Sequence, residues 1–206
     1  MKTKFLISLI CIIFYACEKE QSNTQQAKLN LNTIQSDSTF ILYVNANKEL
    51  VNHLSTRKID GYVSEKEFVQ NYKLAVTENN AEAKEFISNL MGYDHLGFWE
   101  NRITRVEALK KMNLKYNLSK VDASNFHESK KIATNAMEMI DCGEIYKNCL
   151  DNVTADYAMN QINCVAFGAL GWTGVGATLF VACEAVANFK MYIGDKNCRI
   201  NFKNCK

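Results

Sequence analysis

The last third of the chain opens on CGEIYKNC (residues 142–149) and closes on CRINFKNC (198–205); Cys164 and Cys183 lie between, and no cysteine occurs from 18 to 141. The gaps run C-x6-C-x14-C-x18-C-x14-C-x6-C, the same from either end. Cys142 and Cys205, Cys149 and Cys198, and Cys164 and Cys183 therefore share one midpoint, between Thr173 and Gly174. Two elements running antiparallel about a turn produce this pattern. The midpoint falls within GALGWTGVG, where Gly168, Gly171, Gly174 and Gly176 supply the backbone freedom that a reversal needs.

The same gaps choose between helix and strand. At about 100° per residue, a separation of seven stops about 20° short of two turns and one of fifteen runs about 60° past four. Cys142, Cys149 and Cys164 then share one narrow helical face, and so do Cys183, Cys198 and Cys205. In a strand, odd separations would send alternate cysteines to opposite faces. Cysteines seven apart on one helix are about 10 Å apart, beyond the roughly 7 Å that a disulfide spans. Nested pairing, Cys142–Cys205, Cys149–Cys198 and Cys164–Cys183, is the one connectivity of fifteen that two regular helices allow as level rungs. It also sets Glu144 opposite Lys203 and Asp151 opposite Lys196, and places Tyr146 and Phe202 beside a rung. Two features run against it. YIGDKN (192–197) reads as a turn inside the second helix, and the two end motifs form a direct repeat while the spacing is a mirror.

Working back along the chain, residues 39–140 read as a small helical region. Ser64 followed by Glu67 makes a capping box ahead of Phe68, Tyr72, Leu74 and Val76. Asn80 caps AEAKEFISNLM, with Phe86, Ile87, Leu90 and Met91 as its stripe and Gly92 as its stop. LGFWENRITRVEALKKM puts Phe98, Trp99, Ile103, Val106 and Leu109 on one face. A further helix is expected from Ser124 to Ile140. Strand competes only at TFILYV (39–44), and the chain has no proline to break helices. The fold expected is all-α, a small helical region (39–140) followed by a disulfide-stapled antiparallel helical hairpin (141–206).

The N-terminus carries a basic start, MKTK, then the apolar run FLISLICIIFY, then Ala16 and Cys17. The run is shorter than the roughly 20 residues of a membrane-spanning helix, so it reads as a signal-peptide core. FYAC resembles the lipobox of bacterial lipoproteins, although Tyr15 stands where that family has a smaller residue. The resemblance covers only the leader, and it implies cleavage after residue 16 and acylation of Cys17. Two or more acyl chains give stable anchoring, so the partner it implies is a membrane. Residues 17–38 read as a polar tether. The acidic EKE behind Cys17 resembles a surface-export signal, which puts the outer membrane or cell surface ahead of the inner membrane.

Lys and Arg number 24 and Asp and Glu 22; without Lys2 and Lys4 of the leader the balance is 22 against 22. A neutral chain lacks the excess of cations that sequence-independent nucleic-acid binding needs, so no nucleic-acid partner is expected. An exported chain meets an oxidising compartment, where six cysteines form bridges. There is no C-x2-C, and His53, His95 and His127 are scattered through the other region, so no metal or other cofactor is expected. Asp94 beside His95 has no nucleophile with a recognisable signature, so no catalytic residue is assigned and no enzyme is expected.

One rival for the tail is a membrane-spanning helix over 164–183, since no charge occurs from Tyr157 to Cys183. Another is a hairpin that inserts into a bilayer; the cysteine-free front and cysteine-rich tail resemble the layout of bacteriocin precursors, without a double-glycine site before Cys142. The leading expectation is an envelope-anchored, non-enzymatic binding or interaction module with a protein or small-molecule partner, and the alternative is a membrane-active protein.

Overall fold

The computed structural model describes residues 34, 36–56, 62–94, 96–118, 141–168 and 172–205. The leader, Cys17, the tether as far as residue 33, the helix expected from Ser124 to Ile140, His95, His127 and Gly171 lie outside these residues. The described residues hold six helices and no strand: α1 (Ser38–Thr56), α2 (Glu65–Thr77), α3 (Ala81–Leu90), α4 (Gly97–Tyr116), α5 (Cys142–Gly168) and α6 (Gly174–Cys205). The protein is all-α over this extent, and its two longest helices form the stapled hairpin.

TFILYV belongs to α1, because its apolar residues continue at helical spacing through Tyr43, Ala46, Leu50 and Leu54, all buried. Asp37 holds the start: its Oδ1 accepts from the Thr39 amide at 2.7 Å. Its other oxygen accepts from Lys115 Nζ at 2.5 Å and from the Tyr116 hydroxyl at 2.7 Å, tying α1 to the end of α4. Ile34 is only 1% exposed, so the chain already packs against the body before residue 38, the expected end of the tether. In α2, Ser64 Oγ accepts from the Glu67 amide at 3.2 Å, and in α3 Asn80 Oδ1 accepts from the Ala83 amide at 2.9 Å. Gly92, with a φ of 79°, ends the turn after α3.

α5 and α6 pack along their length, α2 lies on α6 and α3, and α1 lies on α4. One core takes Leu50 and Leu54 from α1, Phe68 and Tyr72 from α2, Phe98 from α4, Tyr157 from α5, and Phe189 and Tyr192 from α6. The Phe68 ring sits 5.6 Å from Phe189 and 6.1 Å from Tyr192. The helical region and the hairpin are thus built on shared apolar surface. This burial supplies most of the drive to fold.

Three bridges join α5 to α6: Cys142–Cys205, Cys149–Cys198 and Cys164–Cys183, with Cα separations of 5.8, 5.7 and 5.5 Å. Tyr146 and Phe202 meet between the outer two, ring centroids 5.2 Å apart. The two charge pairs expected across the hairpin are not among the ion pairs of the described residues; Lys196 instead lies 5.3 Å from the centre of the Tyr62 ring.

YIGDKN is no turn: α6 runs through it unbroken. Gly194 is there for close approach, since a Cβ at this position would stand 2.9 Å from Cγ2 of Val153 on α5. Asp195 pairs with Arg199 one turn on, at 3.0 Å. At the other end, Gly168 is the last residue of α5 and Gly176 lies buried inside α6, so neither is a turn residue. A Cβ on Gly168 would meet the Trp172 ring at 2.8 Å, and Gly174 adopts the left-handed φ of 61° that starts α6. The chain from Cys164 to Cys183 is therefore two helices bridged to each other, which overturns a single span over these residues. Among the described residues no helix is long and apolar enough to cross a membrane.

Candidate functional site

α4 carries the residues that organise the site. Its buried face runs Phe98, Asn101, Arg105, Ala108 and Met112, steps of three and four that place a carboxamide and a guanidinium within an apolar stripe. Ile103, expected on that face, is 54% exposed instead. Asn101 is the junction between surface and interior. Its Nδ2 donates to the Ala46 carbonyl at 2.9 Å and to Glu49 Oε2 at 3.2 Å, both on α1. Its Oδ1 accepts from Arg105 Nε at 2.8 Å.

From Arg105 the hydrogen bonds continue inward. Arg105 donates to the Tyr157 hydroxyl on α5, which donates to Asn188 Oδ1 on α6 at 3.0 Å. Asn188 Nδ2 donates to the Glu184 carbonyl at 2.8 Å and to the Tyr72 hydroxyl on α2 at 3.3 Å. Arg102 closes the set, donating to Tyr72 from Nε at 3.0 Å and to Glu184 Oε2 from Nη2 at 2.6 Å. By way of Tyr72 and Arg102, one chain of side chains thus links Glu49 at the surface to Glu184 in the core through five helices.

Charge explains why the chain must be connected. Glu184 and Arg105 are both 0% exposed, and a buried charge without partners is very costly. Burial alone would lower the Arg102 pKa, but the Glu184 carboxylate at its side raises it overall. No carboxylate among the described residues pairs with Arg105, so burial dominates and its pKa falls below the usual arginine value. Burial, reinforced by Glu184, raises the Tyr72 phenol, and burial raises Tyr43 as well.

Where the network reaches the surface there is a cleft of about 390 Å³ between α1, the α3–α4 turn and the first turns of α4. Glu49, His53, Tyr93, Asp94, Glu100 and Asn101 are among its walls. The His53 ring stacks on Tyr93, centroids 3.9 Å apart, and its Nε2 lies 4.0 Å from Glu49 Oε1. Gly97 lets Tyr93 lie close, because a Cβ there would stand 3.0 Å from the Tyr93 ring. Among the described residues Thr104 is the one hydroxyl-bearing aliphatic side chain in the walls, and its Oγ1 donates to the Glu100 carbonyl at 3.1 Å. A second cavity, about 370 Å³, opens between α5 and α6 beside Asp156, Lys190, Met159 and Met191.

Of the residues that the sequence singled out, the structure brings Asp94 and His53 to the cleft walls and uses the six cysteines as staples between α5 and α6. No group of three or more His, Cys, Asp or Glu among the described residues is placed to hold a metal ion. Sequence reading missed Tyr72 as a polar partner, and Asn101, Arg102, Arg105, Tyr157, Glu184 and Asn188 altogether. A signal was present: Asn101 and Arg105 fall in phase with Phe98 and Met112, and Glu184 and Asn188 are one turn apart in an otherwise apolar run. Comparison with known proteins gives no match: no family model, no curated protein and no solved structure matches this chain.

Proposed function

We propose that the protein is an envelope-anchored lipoprotein that acts as a non-enzymatic binding module. The observation that carries this reading is the cleft held on a braced frame. Its walls are tied by Asn101 and Arg105 to a core whose hairpin three disulfides staple. Preorganised walls lower the ordering cost of binding, which is what a recognition surface requires. The one aliphatic hydroxyl among the described wall residues, that of Thr104, is engaged by a backbone carbonyl, which favours binding over covalent chemistry. Three bridges suit an oxidising compartment, in keeping with export by the leader and anchoring at Cys17. The outer membrane or cell surface is the proposed site, and a protein or small molecule the proposed partner. Fractionation tests the anchor: the unaltered protein should sediment with membranes and Cys17→Ser should appear in the soluble fraction, whereas equal distribution of the two would refute it.

A membrane-active role is the second reading, supported by the hairpin tip. Phe167, Val175 and Leu179 are exposed there, within a stretch that carries no charge from Tyr157 to Cys183. Release of dye from liposomes by the oxidised protein, abolished by Val175→Asp, would establish this role in place of the first.

A further inference from the structure

We infer that the cleft between α1 and α4 binds an organic cation through its ammonium or guanidinium group. This rests on the binding-module reading and adds the chemical class of ligand. Three carboxylates, Glu49, Asp94 and Glu100, stand in the walls, and among the described residues no lysine or arginine lines the cleft to neutralise them. Glu49 is held in place, because Asn101 donates to its Oε2 from a buried position. A fixed carboxylate meets an incoming cation without paying again to order its side chain.

The second observation is independent of the acids. Tyr93 is part of the same walls and only 5% exposed, yet its buried hydroxyl has no hydrogen-bond partner among the described residues. A buried polar group left unmatched costs free energy, so an unmatched one at a cleft marks a place where a partner belongs. Burial, and then the nearby Glu49 charge, raises the Tyr93 pKa, so at neutral pH the group is a phenol that can accept from an N–H donor. Its ring is braced by His53 on one side and Phe98 at 6.0 Å, which fixes where the oxygen lies.

Geometry separates an organic cation from a metal ion. The acids, together with His53, do not converge closely enough to form a metal-binding group. Carboxylates distributed around a cavity of about 390 Å³ match instead a cation with several N–H donors and a short apolar stem. Such a group can belong to a free amine or to a lysine or arginine side chain of a peptide.

The experiment is calorimetric titration of the oxidised full-length protein with agmatine, with a Lys-Arg-Lys tripeptide, with succinate and with calcium. Saturable one-to-one binding of agmatine is expected, weakened by added salt. Glu49→Gln and Asp94→Asn should each lower its affinity about tenfold or more, the usual scale for a hydrogen bond to a charged group. Tyr93→Phe should weaken binding several-fold while leaving the melting temperature unchanged or higher, which a purely structural tyrosine would not do. Tighter binding of the tripeptide than of agmatine would identify a peptide side chain as the source of the cation; the reverse order would identify a free amine. Absence of saturable binding by both cations, indifference to all three substitutions, or displacement of agmatine by equimolar calcium would overturn the inference. Succinate binding in their place would overturn the cation and leave a binding module standing. Failure of the Cys17→Ser fractionation alone would remove the anchor and leave the cleft untouched.

Discussion

Glu184 shares the interior with two guanidiniums, so single substitutions there leave charges unmatched. Glu184→Gln should cost about 3–5 kcal/mol in urea unfolding of the oxidised protein, the scale for breaking one side of a buried pair. Arg102→Met combined with Glu184→Leu should cost far less, because the desolvation of both charges disappears with them. Asp37 offers a test by pH. The Lys115 ammonium, with the Tyr116 hydroxyl and the Thr39 amide, holds its carboxyl well below the usual carboxylate range. A depressed folded value means that its contribution is complete above the unfolded value of about 4 and is lost as pH falls below it. Asp37→Asn should therefore lower the melting temperature at pH 7, with the gap closing below about pH 4 in scanning calorimetry. At this scale sequence reading has a blind spot. It chose Ile103 for the α4 face because it searched for apolar residues, whereas Arg105, whose Nε and Nη1 are met by Asn101 and Tyr157, takes the buried position.

Helices are where neighbours overrule local preference. TFILYV has the residues of a strand, but its burial pattern continues for about three turns, and only a helix carries that pattern onto α4. YIGDKN has the residues of a turn, but Tyr192 and Asp195 are buried and Gly194 lies against Val153. The open choice at TFILYV and the misreading of YIGDKN have the same origin: a six-residue window cannot contain the partner helix. The Gly194 contact is testable by sign. In a free helix Gly→Ala stabilises by about 0.5–1 kcal/mol. Here Gly194→Ala should destabilise by about 1–3 kcal/mol through overpacking, and in a Val153→Ala background the same change should become stabilising. Equal effects in the two backgrounds, measured by chemical denaturation, would show that the two residues do not meet.

For the molecule as a whole, the mirrored cysteine spacing made the hairpin legible, because a register written in covalent partners needs no knowledge of the surroundings. The docking of that hairpin onto α2 and α4 was not legible, since it depends on shape and on buried polar matches made between distant segments. The cleft stayed hidden for the same reason. Its walls come from α1, the α3–α4 turn and α4, and only Asp94 and His53 drew notice beforehand. The nested bridges also make a quantitative expectation. With Cys149–Cys198 intact, the outer bridge closes a loop of only about 14 residues, so replacing Cys142 and Cys205 by serine should cost about 3 kcal/mol. A much larger loss would mean that the outer bridge is needed to seat Tyr146 on Phe202, and the double variant Tyr146→Ala, Phe202→Ala would then reproduce it.

The ladder of bridges has one more consequence, for survival among proteases. An enzyme that clips the chain at the short connection between Gly168 and Gly174 would free nothing, because three sulfur links span the cut. The clipped molecule should migrate as one band on a gel until a thiol is added and then separate into two pieces. Cutting the peptide chain and dismantling the protein are thus two separate events.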